Sequence, residues 1–143
     1  MLSLSRSLRE ELRLAGNAAI HVGTIMPWAV DTPWWTHAAN YSGHAPRMLA
    51  MDDPQVVIDA IVAACVEPKE DMPVGWISRA SNASHHIFPD LTERMSANIA
   101  HREVGKGTPM PPSQGAIHQP MAGTATIDGG IRARMKQEDD DKR

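Results

Sequence analysis

The start of the chain constrains the fold most, because it joins an amphipathic helix to an apolar strand through one tight turn. Leucines recur at every fourth position on one face of a predicted helix: Leu4, Leu8 and Leu12. The helix spans Ser3–Leu14, and Gly16 suits the position just past its end, where a positive φ is common. Ala18–Ile25 reads AAIHVGTI, which is typical of a strand covered on both faces in a parallel sheet. Together they indicate the second half of a βαβ unit.

A second helix and a second strand complete one crossover. Asp53 and Pro54 suit the N-cap and the first position of a helix, and an apolar run continues to Val66. Met72–Ile77, MPVGWI, predicts a short strand, whose proline favours a strand start or a sheet edge. The predicted order is helix, strand, long loop, helix, strand, which is one βαβ crossover with a leading helix. We therefore expect an α/β, partial Rossmann-like fold.

The second half of the chain predicts one further helix and a tail. Pro89–Glu103 carries apolar residues every four positions. Beyond Val104 the sequence is rich in Gly, Pro, Ser and Thr, which predicts a disordered, flexible tail. For the charged end, Ile131–Arg143, the alternative is a short solvated helix. The predicted domains are residues 1–80 as the α/β portion, 81–104 as a C-terminal helical extension, and 105–143 as the tail.

Charge and cysteine content exclude several classes of protein. The 143 residues carry 17 acidic and 14 basic side chains, so the net charge of −3 argues against a nucleic-acid partner. No apolar run reaches the roughly 20 residues that a membrane helix needs, so we expect no membrane span. The single cysteine, Cys65, cannot form an internal disulfide. On an apolar helix face it is expected to be a small core residue, in a reducing, cytoplasmic setting.

Three consecutive patterns resemble one enzyme family. They are SLREEL followed by AG, then the strand and MPWAVDTP, then DDPQVVIDAIVAACVEP. In this order they are similar to the C-terminal portion of a short-chain dehydrogenase/reductase, over roughly Ser3 to Ile77. The resemblance implies an NAD(P)-dependent oxidoreductase that transfers hydride between a nicotinamide and a carbonyl or alcohol substrate. NAD and NADP both stay open, because the residues that discriminate them belong to a first βαβ unit that is not in this sequence.

The resemblance also implies cofactor-binding positions after the first strand. Pro27 would lie at the carboxyl end of the sheet, where ligands bind in open α/β folds. Val30 matches the position whose backbone meets the nicotinamide carboxamide, and Thr32 matches the position whose hydroxyl binds that amide or a phosphate oxygen. Trp28 replaces the usual glycine, whose lack of a side chain lets the backbone approach the cofactor closely.

The loop from Pro33 to Met51 matches the segment that covers the substrate in this family. Its aromatic and histidine side chains would then face a substrate pocket: Trp34, Trp35, Tyr41 and His44. A simpler reading has the tryptophans packing the loop against the sheet edge. Three further histidines, His85, His86 and His101, match no metal-binding spacing, so we expect no metal.

The catalytic and cofactor-loop motifs of the family are not in this sequence. There is no glycine-rich turn between a strand and a helix, and Tyr41 is followed by Ser-Gly-His-Ala rather than by a lysine at the required spacing. The family's Y-x-x-x-K would fall upstream of Met1, so we expect no catalytic residue here and an incomplete enzyme as a lone chain.

The second hypothesis is a non-catalytic truncated module that acts only by association, as a homo-oligomer or with a partner chain. An open strand edge and the leucine face would drive that association.

Overall fold

The computed structural model describes residues 2–121 and 126–141. Two strands and six helices follow one another in the described part: α1 (Leu2–Leu14), β1 (Thr24–Pro27), α2 (Trp34–His37), α3 (Pro54–Val66), β2 (Asp71–Val74), α4 (Trp76–Ile87), α5 (Pro89–Val104) and α6 (Ile131–Asp140). The chain divides into two compact units. Unit 1 comprises the residues up to Trp28 with Gln55–Asn82, and unit 2 comprises Ala29–Pro54 with the residues from Ala83 onward. The predicted domain division at residues 80 and 104 stays a prediction.

Unit 1 contains the predicted parallel pair. β1 and β2 form a two-stranded parallel sheet whose register runs from Thr24 opposite Asp71 to Pro27 opposite Val74. The connection between them includes α3, which begins at Pro54 as its capping residues predict. A mixed helix and strand architecture with a parallel crossover is therefore confirmed, as a partial α/β fold.

The first strand is shorter and less covered than its sequence predicts. β1 holds only Thr24–Pro27, and Ile20 lies outside it and is exposed. Burial on both faces was therefore a wrong prediction. Within the described residues β1 pairs with β2 alone, and β2 is four residues long, so no partner exists for the earlier part of the apolar run.

The leading helix forms as predicted but is not buried. α1 ends before Gly16, whose φ of +75° confirms its role past the helix end. None of the residues of α1 is buried, and Leu4 is 72% exposed. Cys65 on α3 is also exposed, contrary to the predicted core position. The residues of α3 are apolar on most faces of the helix, and unit 1 covers only some of those faces.

A helix that the sequence did not reveal follows β2. The predicted strand ends at Val74 rather than at Ile77, because Gly75 turns the chain at a φ of +81° and α4 begins at Trp76. The Ser78 hydroxyl, buried in the first turn of α4, donates to the Met26 carbonyl of β1.

The segment that composition predicts to be a flexible tail contains regular structure in unit 2. α6 spans Ile131–Asp140, and the side chain of Ile131 is 2% exposed. Residues 105–121 form isolated β-bridges with the long loop, at Asn40–Ser113 and His44–Pro109. The predicted helix α5 is confirmed, one residue longer than expected. In the part of the chain that the structure describes, no helix is long and apolar enough to cross a membrane.

Candidate functional site

The segment after β1 is held by a short parallel bridge between Val30 and Asp52. The Asp31 amide donates to the Asp52 carbonyl at 3.0 Å, and the Asp52 amide donates to the Ala29 carbonyl at 2.8 Å. These bonds tie the first residues of the loop Ala29–Pro54, called here the site loop, to its last residues. The site loop is therefore closed on itself at the point where the candidate cofactor positions lie.

Within the described part of the chain, some polar groups of Val30 and Thr32 have hydrogen-bond partners and others have none. The Val30 carbonyl accepts two bonds, from the Trp35 indole Nε1 at 2.7 Å and from the Thr32 amide at 2.9 Å. Among the described residues, neither the Val30 amide nor the Thr32 hydroxyl has a hydrogen-bond partner. Asp52 Oδ2 is buried, also without a hydrogen-bond partner in that part of the chain. The segment after β1 thus offers a donor and a hydroxyl that internal contacts leave open.

The aromatic side chains of the site loop divide into two groups. Trp34 and Trp35 are neighbours on α2, with ring centroids 5.2 Å apart in an edge-to-face arrangement. The Trp35 indole donates a hydrogen bond to the Val30 carbonyl, so Trp35 stabilises the site loop. Trp34 is 63% exposed and Tyr41 is 69% exposed, so both are accessible to a ligand. His44 is half-buried, with Nδ1 3.1 Å from the Ser42 carbonyl oxygen.

Asp31 lies between Val30 and Thr32, and no sequence pattern singles it out. Its side chain is 1% exposed. Oδ1 accepts the Ile131 amide at 3.0 Å and Oδ2 accepts the Arg132 amide at 2.9 Å. A carboxylate at the N-terminus of α6 satisfies amides that the helix cannot bond internally and interacts favourably with the helix dipole. The DGG sequence before IRARMK is the one local signal of a helix start there.

Residues 105–117 line the other side of the site loop. The backbone bonds alternate between the two segments: Ala45 amide to Thr108 carbonyl at 2.8 Å, and Met110 amide to Gly43 carbonyl at 2.9 Å. Asn40 and Ser113 exchange both amide-to-carbonyl bonds at 2.8 Å. This ladder explains why a segment with few large apolar residues is ordered.

An ion cluster in unit 2 binds the site loop to α5 and α6. Arg47 has a side chain 4% exposed and contacts Glu103 at 3.2 Å, Glu138 at 3.0 Å and Asp139 at 2.6 Å. Glu103 also pairs with Lys106. Burial opposes the charge on Arg47, but the hydrogen bonds to the three carboxylates raise its pKa above the ordinary value.

The same contacts act in the opposite direction on the carboxyl groups. Burial disfavours ionisation of Glu103, but hydrogen bonds from Lys106 and Arg47 lower the pKa of Glu103 below the ordinary value. Burial of Glu138 is offset in the same way, since hydrogen bonds from Arg47 and Thr108 lower its pKa. Arg47, Glu103 and Glu138 are therefore charged at neutral pH.

Pro27 and Trp28 belong to unit 1. Pro27 is exposed at the carboxyl end of β1, in register with Val74 on β2, and Trp28 is half-buried. The carboxyl ends of parallel strands are where ligands bind in open α/β sheets.

A cavity of about 620 Å³ in unit 1 lies at the amino ends of both strands instead. Its arginines are already paired: Arg6 contacts Asp71 at 2.9 Å, and Arg9 contacts Glu70 at 3.5 Å. Hydrogen bonding from Arg6 is the main cause that lowers the pKa of Asp71. Internal ion pairs therefore account for the charge of this cavity.

The histidines outside the site loop form no recognisable metal site. His85 Nε2 lies 3.4 Å from a Glu93 carboxylate oxygen on α5. In residues 2–121 and 126–141, no group of three or more His, Cys, Asp or Glu side chains is arranged so that it could hold a metal ion.

The chain is similar to a protein described as an uncharacterized oxidoreductase, YxnA, of Bacillus subtilis strain 168. The two are 29% identical over 136 residues, which is 91% of this chain and 38% of that protein. The chain thus spans well under half the length of this relative. No family model matches the sequence. No solved structure matches it either.

Proposed function

We propose that this chain is the C-terminal portion of a short-chain dehydrogenase/reductase, an NAD(P)-dependent oxidoreductase acting on a carbonyl or alcohol substrate. The oxidoreductase relative supports the general class. The parallel pairing of β1 with β2, together with MPWAVDTP at the end of β1, supports the finer assignment. The observation that carries the proposal is the pair of open polar groups shortly after β1, the Val30 amide and the Thr32 hydroxyl.

These groups match what a nicotinamide carboxamide requires. An amide presents a carbonyl that needs donors and an N–H₂ group that needs acceptors. The Val30 amide would donate to the carbonyl oxygen, and the Thr32 hydroxyl can donate or accept. The Val30 carbonyl is already engaged by Trp35 and Thr32, and Asp52 Oδ2 is buried, so the Thr32 hydroxyl would be the acceptor for the N–H₂ group. The bound nicotinamide would supply the hydride chemistry.

The site loop would bind and cover the substrate, and would take no part in the chemical step. Trp34 and Tyr41 present exposed rings that can pack on an apolar substrate and exclude water from it. Tyr41 has no lysine at the family's spacing, and among the described residues it has no charged partner. This chain would therefore position and cover the substrate, and none of its residues would transfer a proton.

Titration of the full chain with NADH and NADPH tests this function. Reduced nicotinamide quenches nearby tryptophan emission, so we expect saturable quenching. Thr32→Val should weaken binding by about fivefold, the loss of one hydrogen bond. Thr36→Val is the matched control, because the Thr36 hydroxyl is already bonded to the Pro33 carbonyl at 2.8 Å. Absence of saturable quenching, or equal effects of both variants, would refute the assigned site.

A non-catalytic module that acts by association is the second candidate. The observation that favours it is the uncovered apolar surface of unit 1: Leu4 and Leu8 on α1, and Ile61, Val62 and Val66 on α3, are all exposed. Exposed apolar patches of this kind mark association surfaces. Light scattering combined with calorimetry discriminates: this candidate predicts oligomers or a poorly cooperative melt, and a sharp monomeric transition would eliminate it.

A further inference from the structure

We infer that Asp31 is a positioning residue, whose carboxylate locks the segment Val30–Thr32 onto the start of α6. Helix α6 would thereby set the conformation of the segment Val30–Thr32, which would contact the nicotinamide. The reference to nicotinamide rests on the proposed function, whereas the lock itself is a property of unit 2.

The lock uses both oxygens of the Asp31 carboxylate. Each oxygen accepts one backbone amide of α6, at 3.0 Å from Ile131 and 2.9 Å from Arg132, across 100 and 101 residues of sequence. The side chains of Asp31 and Ile131 are almost fully buried, so water cannot replace these bonds. Bonds from amides to an ionised acceptor are stronger than those between neutral groups.

The backbone completes the contact from the other side. The Gly129 amide donates to the Asp31 carbonyl at 3.2 Å. A Cβ atom on Gly129 would lie 2.5 Å from the Thr32 carbonyl oxygen, which is closer than atoms can approach. Glycine is therefore required where the turn before α6 meets the segment.

Fixing Asp31 also fixes its two neighbours. The Val30 amide and the Thr32 hydroxyl flank Asp31 in the chain, and the Val30 carbonyl holds the Trp35 indole at 2.7 Å. If the lock opens, only a fraction of molecules holds these groups in the binding arrangement. The apparent dissociation constant rises in inverse proportion to that fraction.

Asp31→Asn tests the lock in the full chain, with Asp53→Asn as its matched control. Asp53 pairs with the side chain of the same Arg132, at 2.7 Å, and both side chains of this pair are largely solvent-exposed. The measurements are NMR hydrogen exchange of the Trp35 indole and of the α6 amides, and the affinity for NADH and NADPH. We expect Asp31→Asn to speed exchange and to weaken binding, each by about tenfold. Asp53→Asn should change neither measurement by more than about twofold.

The outcomes separate the lock from the proposed function. Unchanged exchange at the Trp35 indole in Asp31→Asn would overturn the lock. Faster exchange with unchanged nicotinamide affinity would overturn the positioning role. Failure of the unaltered chain to bind either nucleotide would overturn the proposed function, while the exchange data still decide the lock.

A second pair of variants keeps the test decisive if Asp31→Asn does not fold. Gly129→Ala should open the same contact by steric conflict with Thr32 and reproduce the faster indole exchange. Gly105→Ala is its control, because a Cβ there meets its nearest atom at an ordinary 3.7 Å. Equal exchange in the two alanine variants would contradict the lock.

Discussion

Replacing Arg47 with methionine tests the energetic role of the buried ion cluster. Removing one partner of a buried ion pair costs about 3 to 5 kcal/mol, because the other charge stays buried without compensation. Two features favour the lower end: Glu103 keeps Lys106, and Glu138 keeps the Thr108 hydroxyl at 3.1 Å. We therefore expect a loss of about 3 kcal/mol in the free energy of unfolding, or roughly 10 °C in Tm for a chain of this size.

The dependence of that loss on pH is the sharper part of the prediction. The pKa values of Glu103 and Glu138 are lowered in the folded protein, so their stabilising contribution is present above the ordinary carboxyl pKa and is lost as the pH falls through the folded values. Without Arg47, burial dominates and these groups accept protons more easily. The difference in stability between Arg47→Met and the unaltered chain should therefore shrink as the pH falls.

Urea unfolding at several pH values measures both effects, with the slope of each transition confirming a comparable change in exposed surface. Arg13→Met is the control, since Arg13 pairs with Glu10 on an exposed helix face and should contribute well under about 1 kcal/mol. A loss below about 1 kcal/mol for Arg47→Met, or a loss independent of pH, would refute the assigned role of the cluster.

Three further changes address other parts of the structure. Ile131→Ala should cost about 2 to 4 kcal/mol, because this side chain is fully buried at the start of α6, and urea unfolding measures it. Ser78→Ala should cost about 1 to 2 kcal/mol by leaving the Met26 carbonyl without its donor; a neutral effect in a thermal melt would contradict that contact. Asp71→Asn should flatten the acid side of the stability profile, because hydrogen bonding from Arg6 lowers the pKa of Asp71 and so makes its contribution fade as the pH falls.

Local patterns in the sequence identified the elements that local physics determines. Three helices are predicted from patterns that span only a few helical turns. These patterns are the leucine spacing of α1, the Asp53-Pro54 start of α3 and the apolar repeat of α5. The parallel pairing of the strands followed from the crossover between them. Strand limits did not follow, because Ile20 has a strong preference for strands but no partner opposite it.

The C-terminal part of the site depends on contacts that composition does not reveal. Few large apolar residues follow Val104, and that composition favours disorder. Order there comes from the bonds of Asp31 to α6 and from the ion pairs of Arg47. The three carboxylate partners of Arg47 lie 56, 91 and 92 positions further along the chain. A single sequence gives no means to pair charges at such separations, so the role of Asp31 became visible only in the structure.

An NMR titration of the full chain with NADH and with NADPH tests the central claim most directly. If the segment after β1 meets the nicotinamide, the largest saturable shifts should appear at the Val30 and Thr32 amides and at the Trp35 indole. Thr32→Val should reduce the affinity that those shifts report. Saturable shifts centred on Arg9 and the cavity in unit 1, or no saturable shifts with either nucleotide, would contradict the account.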